Sequence, residues 1–556
     1  MTEKKNIFDL PLLLALVVIL FSRGLMNPDV GWPDADRILM DGLFMHDLLH
    51  DIPFQELFHP NGFHTAYQYA LQYFAHYPAL SLGARPPLFP LVEALFFTLF
   101  GVHDWSGKLS IIAFAMLGTI AWYDLIRRSY DRQTALLATG LLFTTPFIVQ
   151  WGWYPMLEIP ILAMTLLTAN LFWRYTATGN QKTLFLAALS FSMTLWTKQA
   201  ALFTLLWFLP WLALSGRLKT MIVQKSTWGA VILPLILTLP VGIMTVWMGK
   251  MNLAVTLQGM DPALQGLGLL DWEYLRQYID ILLQKQLTLP VLSLAALGLA
   301  SAAWHRDRTA LFYLLLILST YIFFTTIRTY RIDRYTIFWV PAFCLFATLP
   351  WYHWRHHTPF RRLGWLLILL VIAWQIREVQ AKTPAFTSGY QDAARIAATQ
   401  SRHGMIFMDG VNNGYFTYFV RLNDPDKRLS VLRGDKLLHS SAIFADSWTE
   451  VHVKTLNEIK TIFDQYGIDI IVVEEANYAN LEIHRLLREF LKTDLFEPIR
   501  AIPIESTRSQ LAHQTLHVYR YKEAKPPSIK EFSMSIPLVG MRFQLPVGAK
   551  TDPQSP

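Results

Sequence analysis

Arg85-Pro86-Pro87-Leu88-Phe89-Pro90-Leu91-Val92-Glu93-Ala94-Leu95-Phe96-Phe97-Thr98-Leu99-Phe100-Gly101 is the stretch on which the topology of the chain turns. It is apolar enough to enter a bilayer. Yet residues 86 to 101 are short for the roughly 20 residues a hydrocarbon core takes as helix, and they carry Glu93 and three prolines. Around it lie further apolar runs, near residues 7 to 22, 108 to 126, 134 to 150, 157 to 173, 183 to 197, 199 to 214, 229 to 248, 288 to 304, 309 to 327, 335 to 351 and 362 to 376. Whether 86 to 101 crosses decides the side of every loop after it. If it does not, the cytoplasmic loops hold Arg127, Arg128 and Arg132; Arg174 and Lys182; Arg217, Lys219 and Lys225; Arg306 and Arg308; and Arg355, Arg361 and Arg362. All are basic, as the positive-inside rule asks; a crossing would turn them all outward. The stretch is therefore expected as a re-entrant or juxtamembrane helix, leaving about 11 crossings, with the N-terminus inside and the C-terminus outside.

The rest of the composition fits a polytopic membrane protein. Of 556 residues 53% are hydrophobic and 16% charged, well below the roughly 25% charged of an average soluble domain. Residues 384 to 556 hold 20 Lys+Arg against 20 Asp+Glu, leaving 28 against 21 for the first 383, so the net charge of +7 belongs to the apolar part. Short basic clusters between apolar runs are topology signals and not a contiguous nucleic-acid face. The single cysteine, Cys344, excludes an intramolecular disulfide. Lys4 and Lys5 precede the run Leu10 to Phe21, and no small-x-small cleavage site follows, so this is expected as an uncleaved anchor. With no Asn-x-Ser/Thr sequon, the expected setting is a bacterial inner membrane.

Two large pieces then face outward. One is the first loop, about residues 22 to 108, in which Ile38, Leu39, Leu43, Phe44, Leu48 and Leu49 fall on one face of a helix expected to lie on the membrane surface. The other follows residue 383. Gly404 to Asp409, Leu429 to Leu432, Asp469 to Glu474 and Leu516 to Tyr521 read as strands, and Leu481 to Lys492 as an amphipathic helix. The expected organisation is a helical transmembrane domain over 1–383, an extracytoplasmic α/β domain over 384–525 and an irregular tail over 526–556. A further outer stretch, Gly249 to Gln286, is expected to fold over the same face.

Several polar residues map to that outer face. In Gly31-Trp32-Pro33-Asp34-Ala35-Asp36-Arg37 an aspartate either caps the helix that follows or stands ready to take a proton or ligate a metal. Glu158 lies at a helix start, where the dipole favours a carboxylate, and is also an ionisable group at the edge of a span. Arg328, Arg331 and Arg334 violate the positive-inside trend. Guanidinium groups bind phosphate bidentately, so a lipid phosphate is their natural partner, with snorkelling or pairing to Asp333 as the plainer reading. Arg85 and Lys198 map to the same side. His46, His50, His59, His64 and His76 crowd the first loop without a metal-ligand spacing and are expected to be solvated or interfacial.

The order of an acidic pair after the first span, Tyr77-Pro78-Ala79-Leu80 with Arg85-Pro86-Pro87-Leu88-Phe89, Met156-Leu157-Glu158 and Arg334-Tyr335 resembles membrane glycosyltransferases of the GT-C fold. Nearest are the family 39-like protein mannosyltransferases and the related lipid A aminoarabinose transferase. The resemblance covers roughly residues 5 to 380. It implies an α-helical polytopic membrane protein of about 11 to 13 spans that transfers one sugar, a hexose or pentose, from a polyprenyl-phosphate donor to a lipid, glycan or protein acceptor, usually with inversion. By position it makes Asp34, or else Asp36, the catalytic base, and Glu158 the second acid, orienting the acceptor or a divalent metal. Arg85 and Arg334 would hold the carrier phosphate. Asp-Ala-Asp stands here where many members have adjacent acids, which leaves the choice of base open. A transporter or flippase of lipid-linked sugars is the competing reading, but it would predict repeat halves and midplane polar residues.

Overall fold

The computed structural model describes residues 8–25, 27, 32, 34–81, 85–247, 267–327, 331–354, 358–441, 449–475, 481–529, 531–536 and 541–546. Two compact units emerge. One comprises residues 1–26, 83–89 and 108–384, and the other residues 27–82, 90–107 and 385–556. This differs from a division at residue 383, because most of the first loop, residues 27–82 and 90–107, belongs to the same unit as the C-terminal α/β region.

The first unit is helical. Among its helices are Asp9–Phe21, Arg132–Thr144, Glu158–Thr178, Gln181–Thr197, Thr204–Leu214, Lys225–Trp247, Leu289–Trp304, Arg308–Thr326 and Thr358–Ala381. Every expected crossing coincides with helix. By length and composition alone, five described helices can cross a membrane: Asp104–Ser129, Thr227–Trp247, Arg308–Thr326, Asp333–His353 and Arg362–Ala381. A sixth is the pair Gln199–Leu214 and Arg217–Val223, bent by 96°. The others are shorter, broken or more polar, and packing explains why that is tolerated. Thr168 in the Glu158–Thr178 helix has its hydroxyl 2.8 Å from Ser190 and 3.0 Å from Thr194 in the next helix, and Thr144 donates to Gln375 at 2.7 Å. Such bonds join helices where no hydrophobic force separates lipid from protein, and small residues allow close approach. A Cβ on Gly298 would stand 1.8 Å from the carbonyl oxygen of Phe346. Local caps end the helices: Asp131 accepts from Thr134 N at 2.8 Å, Asp307 from Thr309 N at 2.9 Å, and Gly179 (φ 73°) closes Glu158–Thr178.

The second unit is built on a five-stranded sheet in the order β2-β1-β5-β7-β6, from β1 (Met405–Asp409), β2 (Ser430–Arg433), β5 (Ile470–Glu474), β6 (Phe496–Pro503) and β7 (Thr515–Tyr521). β2, β1 and β5 run parallel, and β7 and β6 are antiparallel. The continuous apolar runs in β1 and β5 are buried along their whole length, as strands covered on both faces require. Phe407, Ile471, Phe463, Phe490 and Tyr521 share one core. The helix Leu456–Tyr466 begins in a capping box, Thr455 with Glu458, and Glu482–Leu491 buries Ile483, Leu487 and Phe490. Five strands went unread in the sequence: β6, the pair β3 (His439–Ser441) with β4 (Thr449–Val451), and the pair β8 (Glu531–Ile536) with β9 (Met541–Pro546). The tail is therefore not irregular throughout. Its prolines mask a period-two alternation in EFSMSI and MRFQLP, whose register pairs Phe532 with Leu545 and Met534 with Phe543.

The first loop contributes helices Ala35–Asp51 and Gly62–His76. Its apolar stripe is covered by protein instead of lying on lipid: Ile38, Leu39, Leu43 and Leu48 are buried, and only Leu49 is exposed. Charge then ties the loop to the α/β region. Asp47 takes hydrogen bonds from Tyr73 (2.7 Å) and Arg421 (2.9 Å), and Asp51 from Tyr69 (2.6 Å) and Lys427. Tyr77 donates to Asp424 at 2.6 Å, and Arg433 to the carbonyl of Pro78 at 2.9 Å. Burial opposes ionisation of Asp47, but His46, Arg421, Lys427 and Tyr73 outweigh it and hold its carboxyl below the ordinary range. Asp51 is held low in the same way, against burial, by Lys427 and Tyr69.

The pivotal stretch forms a helix, Leu88–Phe100, of 13 residues, and from Pro90 onward it clusters with this second unit. Its span of about 20 Å falls short of the roughly 30 Å hydrocarbon core. Glu93 is fully buried beside Gly42, where a Cβ would come within 2.7 Å of its carboxylate.

Candidate active site

Glu158 is the first residue of its helix and is buried, with its Oε1 3.1 Å from Lys198 Nζ and 3.7 Å from Arg334 Nε. The chain brings the three together from far-separated places. Lys198 ends the Gln181–Thr197 helix in an extended conformation, and Arg334 sits in the tight 3-10 turn Asp333–Trp339. Aromatic rings wall the cations: Arg334 lies 5.7 Å from the Trp151 ring centre and 5.9 Å from that of Tyr335, and Lys198 5.6 Å from Tyr335. Two cations thus converge on one carboxylate oxygen. The other, Oε2, is buried and accepts no hydrogen bond among the described residues. An open acceptor beside fixed positive charge suits a ligand that carries both a hydroxyl and an anionic oxygen.

The remaining residues expected in the site fall as follows. Arg85, half-buried, lies in the bend before Pro86. Arg328 lies outside the described residues. Arg331 donates to the carbonyls of Phe324 (2.6 Å), Thr325 (3.1 Å) and Ile327 (3.2 Å) at the end of Arg308–Thr326, and stacks on Tyr274 and Tyr278 at 4.5 and 4.7 Å. Its guanidinium closes a helix end, which is a different task from that of Arg334. In the expected outer stretch 249–286, residues up to 266 lie outside the description, and Trp272–Ile281 is the helix that supplies these two tyrosines.

In the other unit, Asp34 occupies the N-cap position of Ala35–Asp51, and its side chain makes no capping hydrogen bond. Asp36 is buried, accepts from Arg37 N at 2.6 Å and packs against the backbone of Gly414, where a Cβ would stand 2.5 Å from its Oδ2. Asp34 is the more accessible of the two. Of the first-loop histidines, His50, His59 and His64 are exposed and His46 is half-buried. His76 is not solvated: it is buried, 2.8 Å from Ser430 Oγ. Trp151 and Tyr335 were given no role in the sequence reading, although Tyr335 belongs to the Arg334-Tyr335 motif and Trp151 lies seven residues before Glu158.

Residues 84–244 match the family model described as dolichyl-phosphate-mannose-protein mannosyltransferase. No curated protein sequence matches the chain. Among solved structures, apo ArnT from Cupriavidus metallidurans aligns with a TM-score of 0.58 at 11% identity, over 91% of this chain and 97% of that one. The same protein bound to undecaprenyl phosphate aligns with a TM-score of 0.54 at the same identity and coverage. The chain has the GT-C fold of membrane glycosyltransferases. The apo oligosaccharyltransferase of Archaeoglobus fulgidus is also similar, with a TM-score of 0.54 at 11% identity over 85% of this chain and 70% of that one. This GT-C chain is an integral membrane protein whose α/β region follows the last helix of membrane-spanning length.

Proposed function

We propose that the protein transfers a single sugar from a polyprenyl-phosphate donor to a lipid, glycan or protein acceptor at the outer face of a bacterial inner membrane, with inversion. The observation that carries this reading is the buried Glu158 with Lys198 and Arg334 upon it, in a fold shared with a protein crystallised with undecaprenyl phosphate. In the reaction the acceptor oxygen bonds to the anomeric carbon as the bond from that carbon to the phosphate oxygen breaks. The acceptor proton passes to Asp34, and polyprenyl phosphate leaves. Negative charge grows on the phosphate as it departs, so fixed cations at Lys198, Arg334 and Arg85 stabilise the transition state more than the ground state. Glu158 holds the two cations and offers Oε2 to a hydroxyl of the sugar or acceptor.

Sidedness has its own support. It is that Asp47, Asp51 and Tyr77 bond to residues 421–427, which fits a first loop and an α/β region on one side of the membrane. Ten expected crossings separate them, an even number; counting 86 to 101 as a further crossing would make it odd and part them. A reporter fused after Arg128 is expected to read as cytoplasmic, and a periplasmic signal would refute this placement. For the chemistry, purified protein is assayed for release of polyprenyl phosphate from a polyprenyl-phosphate sugar. Asp34→Asn is expected to abolish turnover; turnover retained in both Asp34→Asn and Asp36→Asn would remove the base assignment.

A further inference from the structure

In the sheet of the second unit the chain leaves β1 to form β2 on one side and later returns to form β5 on the other. Where strand order reverses in this way, the crevice beyond the carboxyl ends of the parallel strands is the usual place for a ligand. Asp409 is the last residue of β1. Over it stands His484, from the first turn of Glu482–Leu491, with Nδ1 3.1 Å from Asp409 Oδ2. His439, which opens β3, presents its ring to His484 edge to face, centroids 5.1 Å apart at 86°. One ligand atom from each of the three lies within 4.8 Å of the other two, and all three residues are more than nine-tenths buried.

A buried Asp-His pair accounts for only part of this. Neither ring nitrogen of His439 has a hydrogen-bond partner among the described residues, a costly state for a buried imidazole. Gly434 packs closely against the other carboxylate oxygen of Asp409, for a Cβ there would stand 2.5 Å from Oδ1. We infer that Asp409, His439 and His484 bind a divalent transition-metal ion, zinc by preference, with one position left to water or another oxygen ligand. Two imidazoles and a carboxylate match zinc and not magnesium or calcium, which favour all-oxygen sets. With metal–ligand bonds of about 2.0–2.2 Å, a tetrahedral ion wants ligand atoms about 3.4 Å apart. The Asp409–His484 pair already lies near that spacing, and a turn of the His439 side chain closes the rest. None of its three residues belongs to the Glu158 cluster, and the site does not depend on the reaction assigned to that cluster.

The test uses the full-length protein in detergent, stripped with chelator and titrated with cobalt(II). The expected result is one equivalent bound, with the visible absorption of a four-coordinate cobalt ion, displaced by zinc, and a zinc-dependent rise in the melting temperature. His439→Gln is expected to lose both signals while its metal-free melting temperature stays within a few degrees of wild type. X-ray absorption on the zinc-loaded wild type is expected to show nitrogen and oxygen neighbours with imidazole scattering, a readout that needs no variant to fold. Stripped wild type that takes up no cobalt would overturn the assignment. So would His439→Gln with an unchanged cobalt spectrum, or zinc with no imidazole neighbours.

Discussion

Two buried charge networks in this molecule look alike and differ in one respect. In the second unit all four carboxylate oxygens of Asp47 and Asp51 have partners, drawn from His46, His50, Tyr69, Tyr73, Arg421 and Lys427. In the helical unit Glu158 has Lys198 and Arg334 on Oε1, and nothing on Oε2 among the described residues. Buried polar atoms are almost always satisfied, so a complete network holds structure together, and an incomplete one marks where a ligand brings the missing group. The first network is the clasp between two distant parts of the chain, and the second is the candidate site.

The largest effect expected from this contrast is on stability. Arg421→Met leaves Asp47 buried without its main cation and is expected to cost about 3–5 kcal/mol, read as a lowered unfolding midpoint, with turnover per folded molecule unchanged. Glu158→Gln should do the reverse, lowering turnover about 100- to 1,000-fold with a smaller change in melting temperature. Equal losses of turnover per folded molecule in the two variants would erase the distinction. A finer comparison sets Arg334→Lys against Arg331→Lys. The first loses bidentate phosphate geometry and is expected to lower kcat/KM for the donor about tenfold, the equivalent of about 1.4 kcal/mol, with kcat falling and KM rising. The second loosens a helix end, costs up to about 1 kcal/mol of stability and leaves KM alone.

Acid sharpens the contrast further. The folded carboxyls of Asp47 and Asp51 titrate below their unfolded values, so their contribution is full above the unfolded pKa of about 3.9 and is lost as pH falls through the folded values. The contribution of Asp47 and Asp51 to the melting temperature is expected to be constant above about pH 5 and to fall in more acid solution, while Glu474, which burial pushes up to about 7, lowers stability as pH rises toward 7. Asp47→Asn should make that fall shallower, and an unchanged slope would take Asp47 out of the clasp.

The helices were legible in the sequence because bilayer thickness imposes a length that apolar runs report directly. The core strands were legible because Met405–Asp409 and Ile470–Glu474 are continuous β-branched and apolar runs. What could not be read depends on long-range contacts. Asp47 and Arg421 meet across 374 residues, so the clasp and the unit boundary have no local signal. The stripe from Ile38 to Leu48 reads identically whether lipid or protein covers it. Glu158 was legible as an ionisable group at the edge of an apolar span, Arg334 because the arginines around it break the positive-inside trend, and Lys198 because the expected topology maps it to the same side. Asp409, His439 and His484 lie on three separate elements at spacings that form no ligand motif, and only the fold assembles them.

The central claim is that the Glu158 cluster receives the phosphate of the donor lipid. A cryo-EM map of the protein with undecaprenyl phosphate tests it most directly. The account predicts phosphate density within hydrogen-bond reach of Lys198 and Arg334, with that density lost in Arg334→Ala. A well-defined phosphate bound elsewhere, with the Glu158 cluster unchanged from the lipid-free protein, would contradict it.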